Sequence, residues 1–127
     1  MANILVVEDD QMISRMLQLR LELSGHQVDT AANGEEGADK ALASAYDLVL
    51  MDIHMPVMDG YEATHRLRGQ DYSGTIVALT SSVMSKDTSD AIDAGCNHFL
   101  AKPIGPDFEE QIRGILGAAE NSGLNDR

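Results

Sequence analysis

The chain has 127 residues, 43% of them hydrophobic, and a net charge of −12, which suits one domain with one core. The acidic surplus argues against broad binding to nucleic acid, which needs a basic surface. The chain shows no apolar run near the roughly 20 residues that cross a bilayer and no signal-peptide pattern. We therefore expect a soluble, cytoplasmic protein, and the single cysteine, Cys96, excludes an internal disulfide.

Five short segments have the composition of β-strands. Continuous runs of branched apolar residues at 4–7, 48–51 and 76–79 are typical of parallel strands that are buried on both faces. The more mixed segment 27–32 indicates an edge strand, and residues 98–101 are the fifth candidate. A parallel sheet is therefore expected.

Five helical patterns lie between and after these strands. The first carries an apolar stripe that should face the core, and Gly25 can end this helix. The stripe consists of Met12, Ile13, Met16, Leu17, Leu21 and Leu23. Residues 34–44 predict a second helix, and residues 59–68 a third, with Asp59 as its N-cap.

The fourth and fifth helices differ in how apolar they are. Residues 85–94 carry a thin apolar face, so this helix should be the least firmly packed. The last helix has a regular stripe that includes Phe108 and Ile112. We expect one domain at residues 1–119 and a polar tail at 120–127 that frays.

The alternation of strand and helix, five times over, predicts an α/β fold with a five-stranded parallel sheet and helices on both faces. Ligands of such sheets bind beyond the carboxyl ends of the strands. The function of the chain should therefore depend on the residues that follow each strand.

Charged and hydroxyl side chains occur at four of these strand ends. Glu8 and Asp9 follow the first strand, Asp52 the third, Thr80 the fourth and Lys102 the fifth. Three carboxylates against one ammonium leave a charge of −2, and neighbouring carboxylates repel each other unless a cation compensates. Mg²⁺ needs only one or two protein carboxylates besides phosphate oxygens and water, which favours it as the metal of this site.

The same residue types suit phosphoryl transfer. A carboxylate such as Asp52 can attack a phosphoryl donor and form an aspartyl phosphate. Mg²⁺ and the Lys102 ammonium would offset charge on the phosphoryl oxygens, and the Thr80 hydroxyl could donate a hydrogen bond to one of them.

Each of these residues also has a simpler explanation when it is considered alone. Asp9 or Asp10 could cap the first helix, and this is the favoured interpretation for Asp10. Asp52 could be a turn residue, Thr80 could begin the next helix, and Lys102 could be a solvated surface lysine. Their coincidence at one edge of one sheet favours the functional interpretation.

At these residues the chain resembles the receiver domains of two-component response regulators. The resemblance extends from Asn3 to about Leu116 and rests on five short pieces of sequence. These are residues 4–10, 51–60, 78–80, 95–96 and 102–103. It implies the CheY-like strand order 2-1-3-4-5 and a switch that is phosphorylated rather than an enzyme in the ordinary sense.

The resemblance also implies a role for each site residue. Asp52 corresponds to the phosphoacceptor, and Lys102 to the lysine that pairs with the phosphoryl group. Thr80 and Phe99 correspond to the two switch residues, of which the hydroxyl moves toward the phosphoryl group and the aromatic ring turns inward on activation.

The implied metal site contains Mg²⁺ with Asp9 and Asp52 as direct ligands. The backbone carbonyl of His54 is the implied third ligand, and Glu8 is implied to act through water. The resemblance further implies a cis peptide bond before Pro103.

Two residues depart from the family pattern. Phe99 stands where tyrosine is commoner, so an output that needs a phenolic hydroxyl is in doubt, and Ser81 stands where alanine is frequent. The run from Met51 to Thr64 is most similar to receivers of hybrid sensor kinases and phosphorelays.

The implied partners are a histidine kinase or a histidine phosphotransfer domain as donor, and a protein that contacts the surface of the fourth helix, fifth strand and fifth helix. Nucleic acid is not expected as a partner. A monomer, or a weak dimer that depends on phosphorylation, is expected.

Two alternatives have to be weighed. A degenerate receiver that serves only as an interaction module is one, although the acceptor, the acid pair and the lysine are all present. A flavodoxin-like or nucleotide-binding enzyme is the other, but the loop Glu8–Gln11 is acidic and lacks glycine, which would repel a phosphate.

Overall fold

The computed structural model describes the backbone of residues 2–80 and 85–125 and the side chains of residues 2–80 and 89–117. Strands and helices alternate along the chain. The strands are β1 Asn3–Val7, β2 Gln27–Ala31, β3 Leu48–Asp52, β4 Ile76–Thr80 and β5 His98–Ala101. The helices are α1 Gln11–Leu23, α2 Gly34–Ala43, α3 Gly60–Gly69, α4 Ser85–Ala94 and α5 Phe108–Asn125. Ser81, which departs from the family pattern, lies outside the described residues.

The strands form one parallel sheet in the order β2-β1-β3-β4-β5, which confirms the predicted fold class and strand order. β3 and β4 are buried along their whole length, as their continuous apolar runs predict. β2 alternates between exposed and partly buried residues before its buried end at Ala31, as suits an edge strand.

The two faces of the sheet carry separate apolar layers, because successive side chains of a strand point to opposite sides. Val7 and Met51 belong to the layer beneath α2, α3 and α4, together with Leu67 of α3. Val6 and Leu50 belong to the other layer, in which the α1 and α5 side chains include Leu17, Leu21, Phe108 and Ile112. The helices therefore cover both faces.

Polar side chains define the helix starts nearest the site. The Asp10 carboxylate accepts hydrogen bonds from the amides of Met12 and Ile13, so Asp10 is the N-cap of α1, the simpler interpretation of this residue. The Asp59 carboxylate accepts from the amide of Glu62 at the start of α3, which confirms the predicted cap. Both caps satisfy amides that have no partner within their helix.

The predicted apolar stripe of α1 is partly wrong. Leu17 and Leu21 are buried, but the side chains of Met12 and Leu23 are 84% and 88% exposed. The reason is that Leu17 and Leu21 lie one turn apart on the side of α1 that packs on the sheet, whereas Met12 and Leu23 lie on other sides of the helix.

The last two helices refine what the sequence predicts. In the described part of α4, Ala91 is buried while Ile92 is 55% exposed, so its apolar contact is thinner than expected. α5 continues to Asn125 and thus into the segment that we set apart as a polar tail. Among the described helices none is long and apolar enough to cross a membrane.

Candidate functional site

The predicted site residues lie at the carboxyl edge of the sheet. Asp52 is the last residue of β3 and is paired with Leu79 of β4, while Thr80 is paired with Ala101 of β5. Glu8 follows β1 directly, and its backbone N–H donates to Ala31 O at the end of β2. Parallel register thus brings together groups that are far apart in sequence.

Lys102 joins the acidic residues of the site. Its ammonium nitrogen lies 2.8 Å from Oε1 of Glu8 and 3.2 Å from Oδ2 of Asp52. Both carboxyl groups are almost completely buried, so solvent screens these contacts little. Lys102 is therefore a partner of the acidic cluster and not a solvated surface lysine.

Burial and charge act against each other within this cluster. The pKa of the Glu8 carboxyl is raised to about 7, and burial is the largest cause. The hydrogen bond from Lys102 lowers this pKa, and the neighbouring Asp52 raises it. Burial disfavours the charged form of Lys102, but its hydrogen bond to Glu8 and the charge of Asp52 outweigh this and raise the pKa of the ammonium. Among the residues whose side chains the structure describes, the three carboxylates of the pocket carry more charge than the Lys102 ammonium can balance.

The donor atoms of this pocket fit a hard cation. Carboxylate oxygens of Glu8, Asp9 and Asp52 lie within 4.8 Å of one another, and Asp9 is exposed to solvent. An oxygen-only set with one open side matches Mg²⁺, which keeps several of its waters. Glu8, Asp9 and Asp52 are therefore the residues that would hold the metal.

His54 lies two residues after Asp52, and its side chain is exposed. Its backbone N–H is 3.4 Å from Oδ1 of Asp52, and its ring meets the edge of Tyr61 with 6.5 Å between the ring centroids. The loop continues through Val57, whose φ of +71° is unusual for a β-branched residue. The backbone of this loop, rather than the imidazole, is what contacts the Asp52 carboxylate.

Gly60 is a residue of the site that the sequence analysis did not single out. A Cβ at this position would lie 2.3 Å from the carbonyl oxygen of Asp52, and the Gly60 N–H donates to Ile53 O. The close approach requires glycine. The only signal in the sequence is its place in the run that resembles the receiver pattern.

The remaining predicted residues lie on or directly after β4 and β5. Thr80 is buried, and its carbonyl accepts a hydrogen bond from the Lys102 N–H at 2.8 Å. Phe99 is 39% exposed on β5 and lines an open hollow together with residues of α5. The peptide bond between Lys102 and Pro103 is cis.

Comparison with known sequences identifies a matching family. Residues 4–112 match the model of the response regulator receiver domain. The chain is 37% identical over 121 residues to an uncharacterized transcriptional regulatory protein of Bacillus subtilis, YkoG. That match covers 95% of this chain and 52% of YkoG, so the chain spans about half the length of this curated relative.

Two solved structures of the same fold contain magnesium. The receiver domain of the sensor histidine kinase PA1611 from Pseudomonas aeruginosa, with magnesium in its active-site cleft, is 33% identical with a TM-score of 0.80. The match covers 91% of this chain and 93% of that domain. The response regulator TrrA from Thermotoga maritima, in complex with Mg²⁺ and BeF, is 31% identical with a TM-score of 0.80 and coverages of 91% and 99%.

Proposed function

Since this chain belongs to the response regulator receiver family, a family of signalling domains in two-component systems, we propose that its Asp52 accepts a phosphoryl group from a phosphohistidine donor. The observation that carries this proposal is the position of Lys102, whose ammonium lies between Glu8 and Asp52 at 2.8 and 3.2 Å. A carboxylate beside a fixed ammonium and further oxygen ligands has the surroundings that an attacking nucleophile needs.

The proposed reaction transfers the phosphoryl group from nitrogen to oxygen. An oxygen of Asp52 forms a bond to phosphorus, the bond from phosphorus to the histidine nitrogen breaks, and the imidazole keeps the electron pair and takes a proton from water. Lys102 offsets the charge on the phosphoryl oxygens, and we assign the Thr80 hydroxyl as a donor to one of them.

The metal in this proposal is Mg²⁺, with Asp9 and Asp52 as carboxylate ligands, the His54 carbonyl as a third and Glu8 acting through water. When bound, Mg²⁺ supplies positive charge at the phosphoryl oxygens. The oxygen donor set and the magnesium in the similar structures support this assignment.

We place the output on the surface of α4, β5 and α5. An open, mostly apolar hollow of about 420 Å³ lies between β5 and α5 and is lined in part by Phe99 and Ile115. Reorientation of Thr80 and Phe99 on phosphorylation would change the shape of this surface. Since Phe99 lacks a hydroxyl, its contribution would be apolar contact alone.

The donor and the parent protein are further parts of the proposal. A histidine kinase partner follows from the family, and the run from Met51 to Thr64 favours a phosphorelay, in which a histidine phosphotransfer domain is the donor. We assign the receiver to residues 1–119 and expect a monomer, or a dimer that forms weakly on phosphorylation. Faster transfer from a phosphotransfer domain than from a kinase would support the phosphorelay setting.

The test of the proposal is phosphoryl incorporation by the Asp52→Asn variant. We expect the variant to incorporate no acid-labile phosphoryl group from a phosphorylated histidine donor with Mg²⁺ present, because an amide is a far weaker nucleophile than a carboxylate. Its far-ultraviolet circular dichroism should equal that of the wild type. Asp93→Asn, which makes the same change at an exposed position of α4, is the matched control and should be labelled normally.

Labelling of Asp52→Asn at the wild-type level would refute the assignment. If the wild type itself takes up no phosphoryl group and binds no Mg²⁺ at millimolar concentration, the degenerate receiver becomes the better explanation.

A further inference from the structure

Arg20 forms a contact between α1 and the loop that carries Lys102. Its Nε and Nη2 donate to the two carboxylate oxygens of Glu109 at 2.7 and 2.6 Å, and Nη2 also donates to the carbonyl of Gly105 at 2.9 Å. The guanidinium carbon lies 5.3 Å from the ring centroid of Phe108. One side chain thus contacts a loop carbonyl, a carboxylate of α5 and a core aromatic ring.

The loop between β5 and α5 has little means of holding its own backbone. Pro103 and Pro106 have no N–H to donate, and the Phe108 amide reaches Gly105 O only at 3.4 Å. The shorter hydrogen bond to this carbonyl comes from Arg20. A planar guanidinium with several donors can serve a carboxylate and a carbonyl together, which an ammonium cannot do in the same geometry.

The position of this loop sets where the Lys102 ammonium can reach. At one end of the loop the Lys102 N–H donates a hydrogen bond to Thr80 O. Further along, the Gly105 carbonyl accepts a hydrogen bond from Arg20. In the absence of a phosphoryl group, Glu8 and Asp52 also hold the ammonium. When Asp52 is converted to the acyl phosphate, its contact with the ammonium changes, so groups outside the pocket are needed to keep the loop in place.

We propose that Arg20 is a positioning residue for Lys102: by clamping Gly105 and Glu109 it keeps the β5–α5 loop where the ammonium meets the incoming phosphoryl group. This inference rests on the proposed function, since it concerns the same reaction. Arg20 touches none of the reacting atoms and acts only through Lys102.

The test is a double-variant cycle on the rate of phosphorylation by acetyl phosphate with saturating Mg²⁺. Arg20→Met should lower the maximal rate constant by about tenfold, a moderate loss for a displaced charged group, and leave the Mg²⁺ dissociation constant unchanged. In a Lys102→Met background the same substitution should cost nothing further, because the group that Arg20 positions is already gone. Arg20→Lys keeps the positive charge but cannot donate to Glu109 and Gly105 in the same geometry. Its rate constant should therefore fall as in Arg20→Met.

Arg66→Met is the matched control. Arg66 forms an ion pair with Asp39 at 2.8 Å that joins α3 to α2, away from the Lys102 loop, so its loss should leave the rate unchanged. The NMR chemical shift of the Lys102 amide proton is an independent measurement. It should change in Arg20→Met and remain unchanged in Arg66→Met.

Three outcomes would overturn the inference: a wild-type rate in Arg20→Met, an equal loss in the presence and absence of Lys102, or an equal loss in Arg66→Met. Each of these requires that the wild type is phosphorylated. A wild type that takes up no phosphoryl group would instead refute the proposed function.

Discussion

Burial is the largest influence on the pKa of Glu8, and the contacts with Lys102 and Asp52 have smaller, opposite effects. The carboxyl group is 2% exposed, and burial, the largest influence, raises its pKa from 4.5 to about 7. A raised pKa means that the folded state holds the proton more tightly than the unfolded state. The stabilisation is therefore complete below about pH 4.5 and is lost as the pH rises through about 7.

We predict that metal-free wild type loses stability relative to Glu8→Gln as the pH rises from 5 to 7. The amide cannot ionise, so the difference between the two free energies of unfolding should change by up to about 1.4 kcal/mol per pH unit. Chemical denaturation in the presence of a chelator measures this difference. Burial lowers the pKa of His26, so His26 makes stability rise with pH. This contribution is the same in both proteins and cancels when their free energies of unfolding are compared at each pH.

Glu35→Gln is the control for that measurement, because Glu35 is exposed in the first turn of α2. Its stability profile should stay parallel to that of the wild type. Parallel profiles for Glu8→Gln as well would show that Glu8 ionises freely in the folded domain.

At the scale of elements, α1 has two apolar sides with different surroundings. Its inner side packs Leu17 and Leu21 against the sheet. Its outer side exposes Met12, Met16 and Leu19 around an open hollow of about 570 Å³. This outer side begins directly after the acidic run at Glu8, so a protein that delivers a phosphoryl group to Asp52 has to approach beside it.

We predict that Met12→Ser slows phosphoryl transfer from a phosphorylated histidine domain by about tenfold, as expected when a protein contact loses an anchoring side chain. Phosphorylation by acetyl phosphate should be unchanged, because a small donor needs no contact with α1. Rates with the two donors measure the effect. Leu42→Ser, which removes a 39% exposed leucine from α2, should affect neither rate, and equal slowing with both donors would refute the interpretation.

At the scale of the whole molecule, the sheet brings the acidic groups together, and their mutual repulsion lowers the free energy of unfolding. Carboxylate oxygens of Glu8, Asp9 and Asp52 lie within 4.8 Å of one another, and a cation bound there would relieve their repulsion. Binding to the folded state alone stabilises it by mass action, by about 2.7 kcal/mol at one hundred times the dissociation constant.

Magnesium should therefore raise the melting temperature of the wild type by several degrees at saturation. Asp9→Asn should lose most of this gain, because Asp9 is a direct ligand in the proposed site. Asp93→Asn should keep it. Thermal unfolding with Mg²⁺ or with a chelator measures the shift, and an equal gain in all three proteins would mean that the metal binds elsewhere.

The fold and the sheet edge at which Glu8, Asp52 and Lys102 meet follow from local features of the sequence. Apolar periodicity is local, and a residue that directly follows a buried strand of a parallel sheet must lie at its carboxyl edge, which is why Glu8, Asp52 and Lys102 could be chosen from their positions alone. The caps Asp10 and Asp59 are equally local, since each bonds amides two or three residues ahead.

The contacts that these residues make depend on the packing of distant segments. Met12 and Leu23 stay exposed because they do not lie on the side of α1 that packs on the sheet, and Gly60 matters because it packs on the backbone of Asp52. The pKa of Glu8 depends on burial by the whole fold, and Arg20 meets Glu109 across 89 positions of the chain. Such contacts join distant segments whose distances no local pattern encodes.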